Sequence, residues 1–512
     1  DNPIIIVRCR PMKHLFFVLA TLLGGILAGE DCKTFKDCTS CASAKSWTGN
    51  NCRWCPKTND CHAEGSVLNK CSQAEQITNK DRCPIPVAQI HIAFAGRNEN
   101  GDSNGMTISW ATFQKTQTST VMYGTDKSSL DTKATGEQKQ YLENATFHHH
   151  VTLSNLKAGT TYFYKCGDDA TVGYSSIYNF TSPKSSTPEF GFKVSVFGDW
   201  GYGQNGKALS TRKALQDIVH DVDFVWHAGD IGYADDAFLH DPASFQYENV
   251  YDGYMQWISN MTNNKPYMVA AGNHESECHS PICLADSKKR KDLSNFTAYN
   301  TRFKMPFESS GATSNMWYSF NYGLAHFVVV DTETDFKGAG EENKGDSGIL
   351  PAGHFGTQGE YLKWLENDLA KAADERDVRP WIFAAGHRPI YSDKIHTELQ
   401  AAMEEVFHKY KVDIYFSGHE HSYTRTFPVY KGDVEKNYSS PSYTAHVTVG
   451  GAGCDEMTPE GPDGYNTSAA WIAKHDHHFG TGILEVFNSS AVKWTYLLSD
   501  DLSVEDYFVL TK

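Results

Sequence analysis

Between residues 190 and 512 the chain repeats one arrangement five times: a short apolar run, a glycine-containing turn, then side chains able to bind a metal. FKVSVFGDWG leads to Asp199, and DFVWHAGDIGY leads to Asp230 and Tyr233. KPYMVAAGNHE ends on Asn273, His274 and Glu275, WIFAAGHRP on His387, and VDIYFSGHEH on His419 and His421. Apolar runs of this length bounded by turn residues read as buried strands. The segments between them include amphipathic helices such as QGEYLKWLENDLAKAA, where Leu362, Leu365 and Leu369 share one face. The alternation predicts an α/β domain. Ligands of such sheets gather at the carboxyl ends of strands, so groups as distant in sequence as Asp199 and His421 can meet.

The donors are two carboxylates, a phenol, an amide and three imidazoles, a hard-to-borderline oxygen and nitrogen set without thiolate. Asp199, Asp230, Tyr233, Asn273, His387, His419 and His421 together exceed the needs of a single four- or six-coordinate ion, and a carboxylate such as Asp230 can bridge two. Two ions about 3.5 to 4 Å apart form the clamp used in phosphoryl displacement. Taken singly, each motif has a plainer reading: aspartate after glycine as a turn residue, Asn273 as a helix cap, His419 and His421 as a surface pair. The ordered set points to a dinuclear centre.

That set, GDxG, GDxxY, GNHE, GHRP and GHxH, resembles the purple acid phosphatases, and the resemblance runs over residues 87–512. It includes HHVTLSNLKAGTTYFYKCG, which matches the fibronectin-like domain of that family. Other metallophosphoesterases carry Asp-x-His at the first motif, where this chain has Gly201; that difference and Tyr233 mark the purple branch. The resemblance implies Fe(III) held by Asp199, Asp230, Tyr233 and His421, and a divalent ion (Fe, Zn or Mn) held by Asp230, Asn273, His387 and His419.

The activity so implied is that of a secreted acid phosphatase hydrolysing phosphate monoesters by attack of hydroxide, which Fe(III) keeps available below neutral pH. Asn273, His274 and His396 are the substrate-facing residues: His274 binds a phosphate oxygen, and His396 protonates or orients the leaving alcohol. Thr397 stands where plant relatives have a further histidine. Glu275 is expected to orient a ligand or the nucleophile network from behind. GNHESECHSPICL and FTAYNTRFKMP resemble fungal-type members, some of which accept phytate. KHDHHFG at 474–480 is expected to be structural or to form the rim. Two alternatives remain: a phosphodiesterase or pyrophosphatase of the same superfamily, and a non-catalytic adhesion-type protein. A vestigial site should have lost ligands, and all seven are present.

Upstream, MKHLFFVLATLLGGILAGE gives an expected signal peptide over 12–29, with residues 1–11 preceding it. As an uncleaved anchor, Leu15 to Leu27 is short for a bilayer span, so no stable membrane insertion is expected after cleavage. Eight of thirteen cysteines fall in residues 32–83. The C-x-x-C pairs at 38/41 and 52/55 could hold zinc, but export favours disulfides, because so small a module cannot stabilise itself by burial alone. The spacings and CRWC resemble the plexin-semaphorin-integrin module, here placed at 30–85 as a spacer or a site for a protein partner.

Short aromatic-rich runs then predict a fibronectin-III-like β-sandwich at 86–184, followed by the linker SPKSSTPE and the catalytic domain at 190–512. Alternation within a strand places His148, His149 and His150 on a strand surface. Cys278 and Cys283 are spaced for a local bridge, whereas Cys166 and Cys454 have no evident partner. Sequons at Asn144, Asn179, Asn260, Asn295, Asn437, Asn466 and Asn488 suit a secreted or extracellular glycoprotein, or one of a lysosomal or vacuolar lumen. A formal net charge of -16 argues against nucleic acid. The only basic run, KKRK at 288–291, reads as a solvated loop.

Overall fold

A computed structural model describes residues 32–35, 38–46, 49–55, 60–66, 68–71, 76–78, 86–143, 145–186, 191–203, 206–236, 245–276, 278–341, 350, 352–454, 465 and 467–512. The expected signal peptide at 12–29, Cys83, Asn144 and Asn466 lie outside the described residues. Two compact units comprise residues 1–85 and 86–512.

In the first unit the antiparallel strands Cys52–Cys55 and Asp60–Ala63 are stapled by disulfides Cys32–Cys52, Cys41–Cys61 and Cys55–Cys71. Cys38 is also disulfide-bonded. Each C-x-x-C pair is thereby divided between different bridges, so its sulfurs are not zinc thiolates. Trp54 fills the small core these bridges enclose.

The second unit opens with the sandwich. Strands Ala88–Ala95, Gly105–Thr112 and Phe147–Leu153 form one layer; Ser119–Gly124, Thr161–Asp168 and Tyr178–Thr181 belong to the other. Strand Thr132–Lys139 pairs first with Ser119–Gly124 and then with Phe147–Leu153, crossing between layers. Gly136 lies at the crossing, where a Cβ would sit 2.0 Å from the His150 carbonyl oxygen.

The three consecutive histidines lie on a strand, but all are buried. His149 points into the sandwich, stacked on Trp110 with ring centroids 4.9 Å apart. His148 stacks on Tyr141, and His150 meets the Thr301 carbonyl at 2.9 Å. The expected surface is therefore a contact with the α/β region. Nearby, the fully buried Arg302 pairs with Glu248 at 3.1 Å and Asp252 at 2.9 Å, and stacks on Tyr251.

The α/β region is built on two sheets. One runs Tyr267–Val269, Phe224–His227, Phe192–Phe197, Gly480–Val486, Ala491–Leu498, Val504–Thr511, with the first three strands parallel. The other runs Tyr318–Tyr322, Ala325–Val329, Trp381–Ala385, Ile414–Ser417, Ala445–Val449, Tyr423–Thr426, Ile472–Asp476. Trp226 against Phe327 (5.3 Å) and Phe416 against Trp494 (4.9 Å) join their inner faces. Such aromatic contacts bury large apolar areas and fix the spacing of the sheets.

Helix Glu360–Asp374 buries Tyr361, Trp364, Leu365 and Leu369, leaving Leu362 at the margin of that face. KKRK is solvated but helical, within Ser287–Leu293, because Asp286 caps the backbone N–H groups of Lys288 and Lys289. Cys278–Cys283 forms the local bridge, and Cys166 is free and buried. Among the described residues no helix is long and apolar enough to cross a membrane.

Candidate metal centre

The five glycine-marked exits come from both sheets and converge on one site. Tyr233 Oη lies 3.1 Å from His421 Nε2, 3.3 Å from Asp230 Oδ2 and 3.4 Å from Asp199 Oδ1. His387 Nε2 lies 3.0 Å from Asn273 Oδ1 and 3.1 Å from Asp230 Oδ2, and His419 Nδ1 lies 3.0 Å from the same Asn273 oxygen. Two candidate ion-binding groups result, Asp199/Asp230/His421 and Asp230/His387/His419. They share Asp230.

The backbone is bent to make this approach. Asp199, Asp230, Tyr233 and His419 all adopt positive φ, between 53° and 68°. Side-chain-bearing residues rarely take this conformation, and it concentrates at functional sites. The flanking glycines are required by space: a Cβ on Gly272 would lie 2.2 Å from Asp230 Oδ1, and one on Gly418 2.2 Å from Asp199 Oδ2.

The donor chemistry fits cations. Asp199 and Asp230 are buried side by side; burial raises the Asp199 pKa, with Asp230 adding to the push. At Asp230 burial is outweighed by His387 and His274, which hold its carboxyl well below the usual range. Burial alone would depress His387, yet Asp230 and Asp199 push it up to about 9, which marks a carboxylate-rich pocket that calls for positive charge. Its Nδ1 lies 2.9 Å from the Ala228 carbonyl, which can only accept; Nδ1 therefore carries a proton, and Nε2 is the nitrogen directed at the carboxylate. Burial likewise drives the Tyr233 phenol well above its ordinary value; a high-charge cation is what would favour its phenolate.

Three families match in sequence along the chain: "Purple acid Phosphatase, N-terminal domain" at 87–182, "Calcineurin-like phosphoesterase" at 192–423 and "Iron/zinc purple acid phosphatase-like protein C" at 443–507. Acid phosphatase type 7 of Mus musculus is 32% identical over 397 residues, covering 72% of this chain and 78% of the relative. Acid phosphatase A of Cryphonectria parasitica is 31% identical, covering 72% and 81%. The chain belongs to the purple acid phosphatase family. The acid phosphatase of Aspergillus ficuum is 29% identical over 525 residues, covering 80% of this chain and 85% of that protein. The fold of this chain is shared with the purple acid phosphatase PPD1 of yellow lupin, at TM-score 0.64 and 23% identity over 84% of this chain and 75% of that one. Membership implies a dinuclear metal centre, and Asp230 is common to the two candidate groups.

Around the candidate ligands this family member has layers that sequence motifs only partly disclose. Glu275 accepts from the backbone N–H groups of Asp230, Ile231 and Gly272 at 3.0, 2.8 and 2.8 Å, clamping two exits together. His274 stacks on Tyr233, with Nε2 3.9 Å from Asp230 Oδ2 and Nδ1 2.7 Å from Asp235 Oδ2. His396 Nε2 lies 3.1 Å from Ser392 Oγ and 3.3 Å from Glu420 Oε1, and so is tied to the loop bearing His419 and His421.

A sixth exit, after strand Ala325–Val329, carries Thr332 and Glu333. Thr332 Oγ1 receives the His387 and Arg388 N–H groups, and Arg388 bridges fully buried Glu333 (2.8 Å) and Glu341 (3.1 Å). Its Nη1 also reaches His419 Nε2 at 3.2 Å. Cys454 lies 3.4 Å from His421 Nδ1, in a cluster with Tyr233 and Phe479. Within KHDHHFG, residues up to Asp476 form the edge strand Ile472–Asp476, while His477 and His478 stack together beyond it. The sequons at Asn179, Asn260, Asn295, Asn437 and Asn488 are exposed.

Proposed function

We propose that this chain is an exported acid phosphatase that hydrolyses phosphate monoesters at an Fe(III)–M(II) centre, M being Fe, Zn or Mn. The sharing of Asp230 between two ligand groups carries the reading. Asp199, Asp230, Tyr233 and His421 form the Fe(III) set, and Asp230, Asn273, His387 and His419 the divalent set. When bound, such a pair supplies Lewis acidity and an acidified water.

The chain's own residues do the rest. His274, its Nδ1 held by Asp235, directs Nε2 toward the phosphate and binds one of its oxygens together with Asn273. His396, steadied by Glu420, delivers a proton to the departing alkoxide oxygen. Arg388, neutralised by two carboxylates, holds His419 in position rather than meeting substrate. The pushed-up Glu275, to about 8 through burial and the neighbouring Asp230, keeps the Asp230 turn rigid.

The proposed organisation is a signal peptide at 12–29, a plexin-semaphorin-integrin-like module at 30–85 that meets a protein partner, the family's sandwich at 86–184 and the catalytic domain at 190–512. Secretion or delivery to a lysosomal or vacuolar lumen accords with the disulfides, and the five exposed sequons are available for glycosylation. Phytate is one candidate among phosphomonoesters. The test is a panel of monoesters, including phytate, against diesters and pyrophosphate at acid pH. Preference for monoesters supports the reading; a preference for diesters or pyrophosphate moves the chain to another phosphoesterase activity on the same centre.

A further inference from the structure

Beginning two residues after Tyr233 the chain places two carboxylates, Asp235 and Asp236, only 1% and 5% exposed. His279, on the loop bracketed by Cys278–Cys283, directs Nδ1 at both: 2.6 Å from Asp236 Oδ1 and 3.3 Å from Asp235 Oδ2. The remaining oxygens, Asp235 Oδ1 and Asp236 Oδ2, are buried without a hydrogen-bond partner among the described residues. Neighbouring buried carboxylates with open lone pairs are costly unless a cation or donor meets them. Each carboxylate has one close imidazole, His274 for Asp235 and His279 for Asp236, which leaves one oxygen of each open for a cation.

We infer that Asp235, Asp236 and His279 form a third, separate cation site that takes a borderline divalent ion such as Zn2+. The three offer ligand atoms within 4.8 Å of one another. A tetrahedral ion with bonds of about 2.0–2.1 Å sets its donors roughly 3.3 Å apart; the Asp235 Oδ2–His279 Nδ1 separation of 3.3 Å matches, and Asp236 Oδ1, at 2.6 Å from the imidazole, would have to move outward by less than about 1 Å. Two oxygens and one nitrogen, without thiolate, suit Zn2+ and leave a position for water. The disulfide fixes the loop carrying the imidazole, so little ordering is required on binding.

The site has a route to the dinuclear centre. Asp235 is also the partner of His274 Nδ1, and His274 stacks on Tyr233. An ion on Asp235 competes for the carboxylate that holds His274 Nδ1, loosening the orientation of that imidazole and its hold on a phosphate oxygen. Excess Zn2+ then acts as a saturable inhibitor that raises KM more than it lowers kcat. This consequence rests on the phosphatase reading; the binding of the ion does not.

The test uses the full chain with its native metals, equilibrated with excess Zn2+ and freed of unbound ion by gel filtration. Ions per chain are counted by plasma mass spectrometry for the wild type, Asp236→Asn and His279→Gln. The expected result is one more zinc per wild-type chain than per chain of either variant, with zinc inhibition of KM lost in both. The difference is read independently of how many ions occupy the dinuclear pair, so failure of the phosphatase assignment leaves it intact. Melting curves identify a variant that does not fold, and the other variant then carries the comparison. Equal zinc counts in the wild type and a folded variant overturn the inference.

Discussion

Asp230 Oδ2 lies 3.1 Å from His387 Nε2, while the opposite nitrogen of that imidazole meets the Ala228 carbonyl at 2.9 Å. Asp230 and His387 leave different sheets, so this contact exists only when both sheets are packed. The centre is therefore a reporter of the fold, and elements far from it bear on its integrity.

Arg302 is one of those elements. Its buried guanidinium joins Glu248, Asp252 and Tyr141 beneath the sandwich. Arg302→Met leaves two carboxylates without their cation, a loss of about 3–5 kcal/mol. The unfolding free energy extrapolated from urea titration should fall by that amount, with a lower midpoint; an unchanged midpoint would mean that the ion pairs contribute nothing to holding the layers together.

Burial pushes the His150 imidazole down to about 3, against an unfolded value near 6.5. Because the folded pKa is depressed, its contribution is full above about 6.5 and is lost as pH falls toward 3. Within that window the slope is about 1.4 kcal/mol per pH unit. His150→Gln removes the titration while keeping a donor for the Thr301 carbonyl, so its stability should decline less steeply between neutral pH and pH 4.5. Parallel curves for variant and wild type would contradict this assignment.

The same histidine shows what a sequence discloses and what it withholds. Period-two alternation correctly separates His149 from its neighbours, but it cannot show that both faces of the strand are covered, one by Trp110 and the other by residues such as Thr301, distant in sequence. The five exits with glycine were legible because turn and ligand are adjacent in the chain. HFVVVDTETD has the same strand-then-carboxylate form but lacks the glycine, so nothing in the sequence marks Glu333. Arg388, Glu333 and Glu341 read as ordinary charges until folding buries them together. Asp235 and Cys454 owe their place beside the ligands to loop paths that composition does not encode.

His396 should matter most where the leaving group is poor. Replacement by Gln keeps a hydrogen-bonding group but removes proton delivery, an effect of typically 10²–10⁴-fold. Turnover of alkyl phosphates should fall by far more than turnover of activated aryl phosphates. Equal losses would assign His396 to positioning alone.

Tyr233 gives an optical readout. A phenolate on Fe(III) absorbs visible light by charge transfer, so Tyr233→Phe should lose the visible band at matched iron content while retaining part of the activity. An unchanged spectrum would remove Tyr233 from the ligand set.

The most direct measurement is metal content with activity for the wild type and Asp230→Asn, made on protein freed of loosely held ions. If one carboxylate bridges two ions, the wild type carries two per chain, and the variant loses metal and about 100-fold or more of its phosphomonoesterase activity together. Two ions and undiminished turnover in a folded Asp230→Asn protein would contradict the shared-ligand centre on which the account rests.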